Sequence, residues 1–222
     1  MTREVLIVTA TATEAEAFTN SGFAPGTINI KVLNTGVGTM ATALGLMRYL
    51  AGNEPPCLAL NAGIAGSFRK EIPVGTTGIV ARDCFADFGI DNRGKFLTAV
   101  EARLVEPGTP PYNSTGWIEC NNEYTRRLAG RFHFLTGITS DTVSGSETRI
   151  KMLMDSYNPD VETMEGASFF YICALEKIPF MAVRAVSNMI EERDHSNWDI
   201  PLALRSLSER TREILTLLFT ME

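Results

Sequence analysis

Short apolar runs alternate with segments of helical period along this chain. "EVLIVT" (4–9) is almost unbroken apolar sequence, as a strand buried on both faces requires. "TEAEAFTN" (13–20) reads as a short helix, and "INIKVLNT" (28–35) as a second strand. In 36–52 a glycine turn leads into a helix whose Met40, Ala43, Leu44 and Met47 recur at helical spacing. "PCLALNAG" (56–63) predicts a strand entering another glycine turn, "FLTGITS" (134–140) a further strand, and 146–157 a helix. "VETM" (161–164) leads into a helix from Glu165 to Lys177, "FMAVRAVS" (180–187) is the last strand, and the tail from Ile200 is a long amphipathic helix.

Strands alternating with helices predict βαβ units and a mostly parallel sheet covered on both faces. The middle departs from this. "GTTGIVARD" (75–83) and "KFLTAVEARLV" (95–105) read as strands without helices between them, and "EPGTPPYNSTGW" (106–117) as a surface loop. The expectation is therefore an α/β fold: one three-layer domain over residues 1–222, with a central mixed, largely parallel sheet flanked by helices.

Composition narrows the partners. The 222 residues are 45% hydrophobic, enough for a full core, and the net charge of −6 with no Lys/Arg cluster disfavours nucleic acid or an anionic membrane surface. No run approaches the roughly 20 apolar residues of a membrane span, and no basic, then apolar leader opens the chain. Cys57, Cys84, Cys120 and Cys173 are far apart, and with only His133 and His195 beside them no metal site suggests itself. Free thiols fit a reducing cytoplasm.

Four places could carry chemistry, and each has a plainer reading. Glu14 follows the first strand near a helix start, where a carboxylate also suits the helix dipole. The turns "NTGVGTM" and "NAGIAGSF" let backbone approach a ligand, although ordinary turn chemistry accounts for them equally well. Glu165 stands where a strand becomes a helix, ahead of small and apolar residues that make an odd setting for an unpartnered charge; Glu162 reads as solvent-facing. Asn188 ends the last strand, whose Arg184 is expected to pair with a carboxylate. All four fall at carboxyl ends of predicted strands, which is where open α/β sheets place a pocket.

On these residues the sequence resembles the purine nucleoside phosphorylase/nucleosidase superfamily. "TMEGASFFYICALEKIPFMAVRAVSN" is similar to its Met-Glu segment, the helix after it, and the strand ending in Ser-Asp or Ser-Asn. "NTGVGTMATALG" and "NAGIAGSF" are similar to its other two turns. "SNMIEERDHSNWDIPLAL", with its acidic-Arg-Asp loop and Trp198, most resembles the futalosine hydrolases, nucleosidases of menaquinone biosynthesis; the methylthioadenosine/S-adenosylhomocysteine nucleosidases stand next. The resemblance implies a nucleoside phosphorylase-like fold and a purine nucleoside substrate. Glu14 would activate the attacking water, Glu165 bind the ribose hydroxyls, Met164 pack beneath the sugar and Gly63 lie against the substrate. Asn188 would engage N7 of the leaving base, where the adenine-releasing relatives carry aspartate. Hypoxanthine offers two acceptors there, N7 and O6, and an amide N–H can serve O6. No metal or organic cofactor is called for. A cytoplasmic homodimer is implied, with Phe85, Phe88 and Trp117 as interface candidates. Two rivals remain at this level: a phosphorylase, which needs cations for its phosphate, and a non-catalytic nucleoside-binding protein, which has no need of Glu14.

Overall fold

The computed structural model describes residues 3–19, 28–191 and 197–220. β1 (Arg3–Thr9) is followed by α1 (Ala12–Thr19), β2 (Ile28–Asn34), α2 (Thr39–Gly52) and β3 (Leu58–Ser67). β4 (Thr77–Asp83), the hairpin β5 (Gly89–Asn92) and β6 (Lys95–Thr98), and β7 (Ile118–Glu119) fill the middle. α3 (Glu123–Leu128), β8 (Phe134–Thr139), α4 (Glu147–Tyr157), β9 (Val161–Thr163), α5 (Gly166–Leu175), β10 (Phe180–Met189) and α6 (Ile200–Phe219) complete the order.

The α/β class holds, but the layered sheet does not. β3 pairs with β10 along nearly its whole length on one side. On the other side it pairs first with β1, through Leu58–Asn61, and then with β9, through Gly66 and Ser67. That change of neighbour closes β3, β10, β4, β8 and β9 into a ring, with β1 and β2 extending from it. The sheet is thus mixed and curls into a barrel. Most ladders are parallel; β10–β4, β3–β9 and β4–β7 are antiparallel.

Two local readings are corrected. The glycines of "NAGIAGSF" do not turn the chain, because β3 continues to Ser67 and no helix follows before β4. They keep the strand smooth where other groups press on it. A Cβ at Gly66 would stand 2.7 Å from Ile190 Cγ1. The segment 95–105 is a strand only to Thr98; Ala102 N–H then bonds the Thr98 carbonyl (2.8 Å) and Leu104 N–H that of Ala99 (2.8 Å), coiling the chain.

The core lies between the sheet and its helices. Val5, Leu6, Ile7 and Val8 are fully buried, as their continuous apolar run demands. α6 starts at Asp199, whose Oδ1 accepts the Leu202 N–H at 2.9 Å. Its Ala203, Leu207, Ile214 and Leu218 form the buried stripe, laid against β10 and β3. Phe169 and Phe170 anchor α5 against Phe180 at the start of β10. Among the described residues no helix is long and apolar enough to cross a membrane.

Candidate active site

The carboxyl ends of β1, β9 and β10 meet along the carboxyl-terminal half of β3. Glu14 sits in the first turn of α1, and its side chain folds back onto the end of β1. Oε2 accepts from Ala10 N–H (3.1 Å), Thr11 N–H (2.9 Å) and the Thr11 hydroxyl (2.9 Å). Oε1 accepts from Ile64 N–H on β3 (3.0 Å). A buried carboxylate with four donors is held in one orientation. Gly63 makes room for it, since a Cβ there would meet Glu14 Oε1 at 2.8 Å. Gly63 thus shapes the site through Glu14, and Ile64, Ala65 and Gly66 supply the β3 wall of the cavity.

Glu165 is the N-cap residue of α5. Oε1 accepts from Gly38 N–H (3.0 Å) and Oε2 from Met164 N–H (3.3 Å). Gly38, at φ 94, opens α2 with its amide turned toward Glu165, a conformation that favours glycine. Asp141 takes the next amide, Thr39 N–H, at 3.2 Å. Burial pushes the Glu165 carboxyl up, and the nearby Glu14 charge adds to this. The Gly38 amide and the Arg184 guanidinium oppose the rise.

Arg184 departs from the expected ion pair. Its side chain is 1% exposed and bonds the Asn61 carbonyl (2.9 Å), the Asn61 side-chain oxygen and the Val183 carbonyl (3.2 Å). Burial lowers its pKa, and the through-space charges of Glu165, Glu14 and Asp83 oppose that fall. A guanidinium this deep costs several kcal/mol of hydration. Here the carbonyls offset that cost by direct bonds and the surrounding carboxylates do so through space.

Asn188 belongs to β10 and follows a bulge at Ser187. The Ser187 hydroxyl donates to Asn188 Oδ1 (2.8 Å), and Nδ2 donates to the Met189 carbonyl (3.1 Å). One amide N–H is left for a ligand.

Glu162 overturns the solvent-facing reading. It is 7% exposed and stands in the cavity wall. Oε1 accepts from the Ser144 hydroxyl (2.6 Å) and Oε2 from Ser144 N–H (2.9 Å). Burial raises its pKa against those two bonds. Three residues on a short strand carry too little pattern to tell the inward face, and Ser144 is distant in sequence.

Glu14, Glu165, Met164, Asn188 and Glu162 line one cavity of about 290 Å³, together with Val37, Val143, Ile190 and Trp198. That is close to the lower end for small-molecule sites, about 300 Å³. Its carboxylates are held at fixed positions and its remaining wall is largely apolar. Such a site can polarise a water molecule, bind hydroxyls and grip a flat ring. His195 and the acidic-Arg-Asp part of the loop, 192–196, lie outside the described residues.

The sequence model of the Phosphorylase superfamily matches residues 5–220. A futalosine hydrolase from Streptomyces coelicolor is 28% identical, covering 96% of this chain and 96% of that protein. A 5′-methylthioadenosine/S-adenosylhomocysteine nucleosidase from Glaesserella parasuis is 25% identical over 82% of this chain and 78% of its own length. The solved futalosine hydrolase of Helicobacter pylori shares the fold at a TM-score of 0.74 and 16% identity, covering 100% of this chain and 99% of that one.

Proposed function

We propose, from the premise that the chain belongs to the phosphorylase superfamily, that it is an N-glycosyl hydrolase of purine nucleosides. Its substrate on this reading is futalosine, cleaved to hypoxanthine and dehypoxanthine futalosine. The nucleosidase class is supported by curated relatives of both kinds, and futalosine by the relative that matches over nearly the full length. Asn188 supports the same base, because its spare N–H suits the O6 acceptor of a 6-oxopurine.

One observation carries hydrolysis over phosphorolysis: the carboxylate of Glu14 occupies the donors an anion would need. Ala10 N–H, Thr11 N–H, the Thr11 hydroxyl and Ile64 N–H all point at it. The start of α2 is likewise taken by Glu165 and Asp141. Arg69, which follows β3, is committed to Asp160 (3.2 Å) and to Asn158. A phosphate would meet fixed negative charge where it needs cations.

The mechanism follows from these positions. Breaking the C1′–N9 bond builds an oxocarbenium-like sugar and negative charge on the base. Glu14 takes a proton from the water attacking C1′. Glu165 accepts hydrogen bonds from the ribose hydroxyls, and its charge favours the developing cation. Met164 packs beneath the sugar. Asn188 donates to the departing base, whose N7 proton comes from solvent or another donor, since an amide cannot supply it.

The substrate is tested by presenting futalosine, inosine and methylthioadenosine separately and measuring the free base released. Futalosine is expected to give the highest kcat/KM, with hypoxanthine as the base. Preference for methylthioadenosine would move the chain to the adenine-releasing nucleosidases. Tight binding without release of base would make it a nucleoside-binding protein.

A further inference from the structure

We infer that Glu162 reads the base, its carboxylate accepting the N1–H that 6-oxopurines carry and 6-aminopurines lack. The inference deepens the nucleosidase reading above and rests on it.

The sheet register puts Glu162 and Asn188 on either side of one glycine, over which Ile190 packs. Gly66 of β3 pairs with Asn188 of β10 on one flank and with Glu162 of β9 on the other. Residues level across neighbouring strands point to the same face. Adjacent strands lie about 4.8 Å apart, so the two backbones are roughly 10 Å apart across Gly66. Both side chains line the cavity, while Gly66 between them has none. Its absence matters, since a Cβ there would come within 3.2 Å of Asn188 Nδ2. Ile190, packed over the glycine, also lines the cavity, and a flat ring can lie against it with an amide at one side and a carboxylate at the other.

The carboxylate is turned into position and keeps capacity for a ligand. Ser144 takes one bond on each oxygen, leaving lone pairs free on both. Ser144 is held in turn by Arg149, whose Nε donates to its hydroxyl at 3.2 Å. That bond commits the hydroxyl proton to Glu162. The site therefore presents an N–H from Asn188 and an acceptor from Glu162. A 6-oxopurine offers the complement along one edge, O6 as acceptor beside N1–H as donor. A 6-aminopurine has both reversed, N6–H₂ as donor beside N1 as acceptor.

Futalosine and its 6-amino counterpart are compared as substrates of the wild type and of Glu162→Gln. The glutamine amide can turn an N–H to the cavity, where it meets N1–H unfavourably and an N1 acceptor favourably. The ratio of kcat/KM, 6-oxo over 6-amino, is expected to fall by about 10- to 100-fold, the cost of mispairing a buried polar group. Hypoxanthine and 1-methylhypoxanthine are compared as inhibitors of the wild type, and of Glu162→Ala, where the truncated side chain leaves room for the methyl group. The wild type is expected to bind the methylated base at least about tenfold more weakly, and Glu162→Ala to bind the two within a few-fold. An unchanged substrate ratio in a folded Glu162→Gln, or equal inhibition of the wild type, overturns the inference and leaves the nucleosidase reading standing. If Glu162→Gln does not fold, the wild-type inhibition decides. A wild type that releases base from neither nucleoside overturns both.

Discussion

Glu14 and Glu165 are both buried glutamates in one cavity, yet their surroundings differ, as the different roles proposed for them require. Glu14 is gripped by donors just past the end of β1 and by one within β3, whereas Glu165 is held by two amides and pushed up by burial. Glu14→Gln keeps the shape and removes the proton acceptor, so kcat is expected to fall by about 10²–10⁴ with KM little changed. On the proposed role in ribose binding, Glu165→Gln is expected to raise KM as well as lower kcat. Steady-state kinetics on both variants check this; near-wild-type kcat in Glu14→Gln would remove Glu14 from the mechanism. Both positions could be picked out in the sequence, because each is an acid at the end of an apolar run. Glu162 could not be, since its orientation depends on Ser144, 18 residues away, and on the pairing of β9 with β3. Arg184 was visible as an anomaly, but its Asn61 partner lies on another strand and has no local signature.

Elements with long periodic patterns were legible, and those fixed by tertiary contacts were not. α2, α4, α5 and α6 lie where their sequences place them, although on α2 it is Thr42 and Leu46 that are buried and not Met40, Leu44 and Met47. α3 is six residues long and owes its start to a reciprocal cap between Asn122 and Thr125, too short a pattern to stand out. β3 was cut at its glycines because glycine usually ends a strand, whereas here it admits neighbours. Asp83, last residue of β4, shows the same dependence on packing. It is fully buried against the start of α5, where a Cβ at Gly166 would collide with its Oδ2. Its Oδ1 accepts from Thr139 (3.0 Å), whose hydroxyl oxygen takes the Ala167 N–H (2.7 Å). Burial raises its pKa to about 7 from an ordinary 3.8. The folded chain therefore keeps this proton longer than the unfolded chain does. Its contribution to stability is full below pH 3.8 and is lost as pH rises toward about 7. Asp83→Asn cannot ionise, so its melting temperature relative to wild type is expected to climb between pH 5 and roughly 8. Thermal melts across that range check this, and a pH-independent difference would mean that Asp83 is ionised in the folded protein.

At the scale of the whole molecule, closure of the barrel brings the ends of β1, β9 and β10 over one stretch of β3. Flat layers around a mixed, largely parallel sheet are the natural reading of alternating strands and helices, because nothing local marks a strand that changes neighbours halfway along. The same scale holds the proposal of a homodimer. Met40, Leu44 and Met47 recur at helical spacing on α2 yet remain exposed, Met40 at 81%. Val37, just before this helix, is also exposed and lines the mouth of the cavity. An apolar stripe of this kind marks a surface for another protein. Of the three aromatic interface candidates, Trp117 is buried against Tyr157 and Arg82 and Phe85 is half-buried against Tyr171, which leaves Phe88 exposed. Light scattering at micromolar concentration is expected to give twice the chain mass, and Met40→Lys together with Leu44→Lys to shift it toward the monomer. A monomeric wild type would contradict the proposal.

The central claim is that water, not phosphate, attacks the sugar in this cavity. It is tested most directly by the rate of hypoxanthine release from futalosine in phosphate-free buffer and again with phosphate added. Full activity is expected without phosphate, with no acceleration on adding it and a free sugar hemiacetal as the second product. Activity that requires phosphate, or a sugar 1-phosphate among the products, would contradict it.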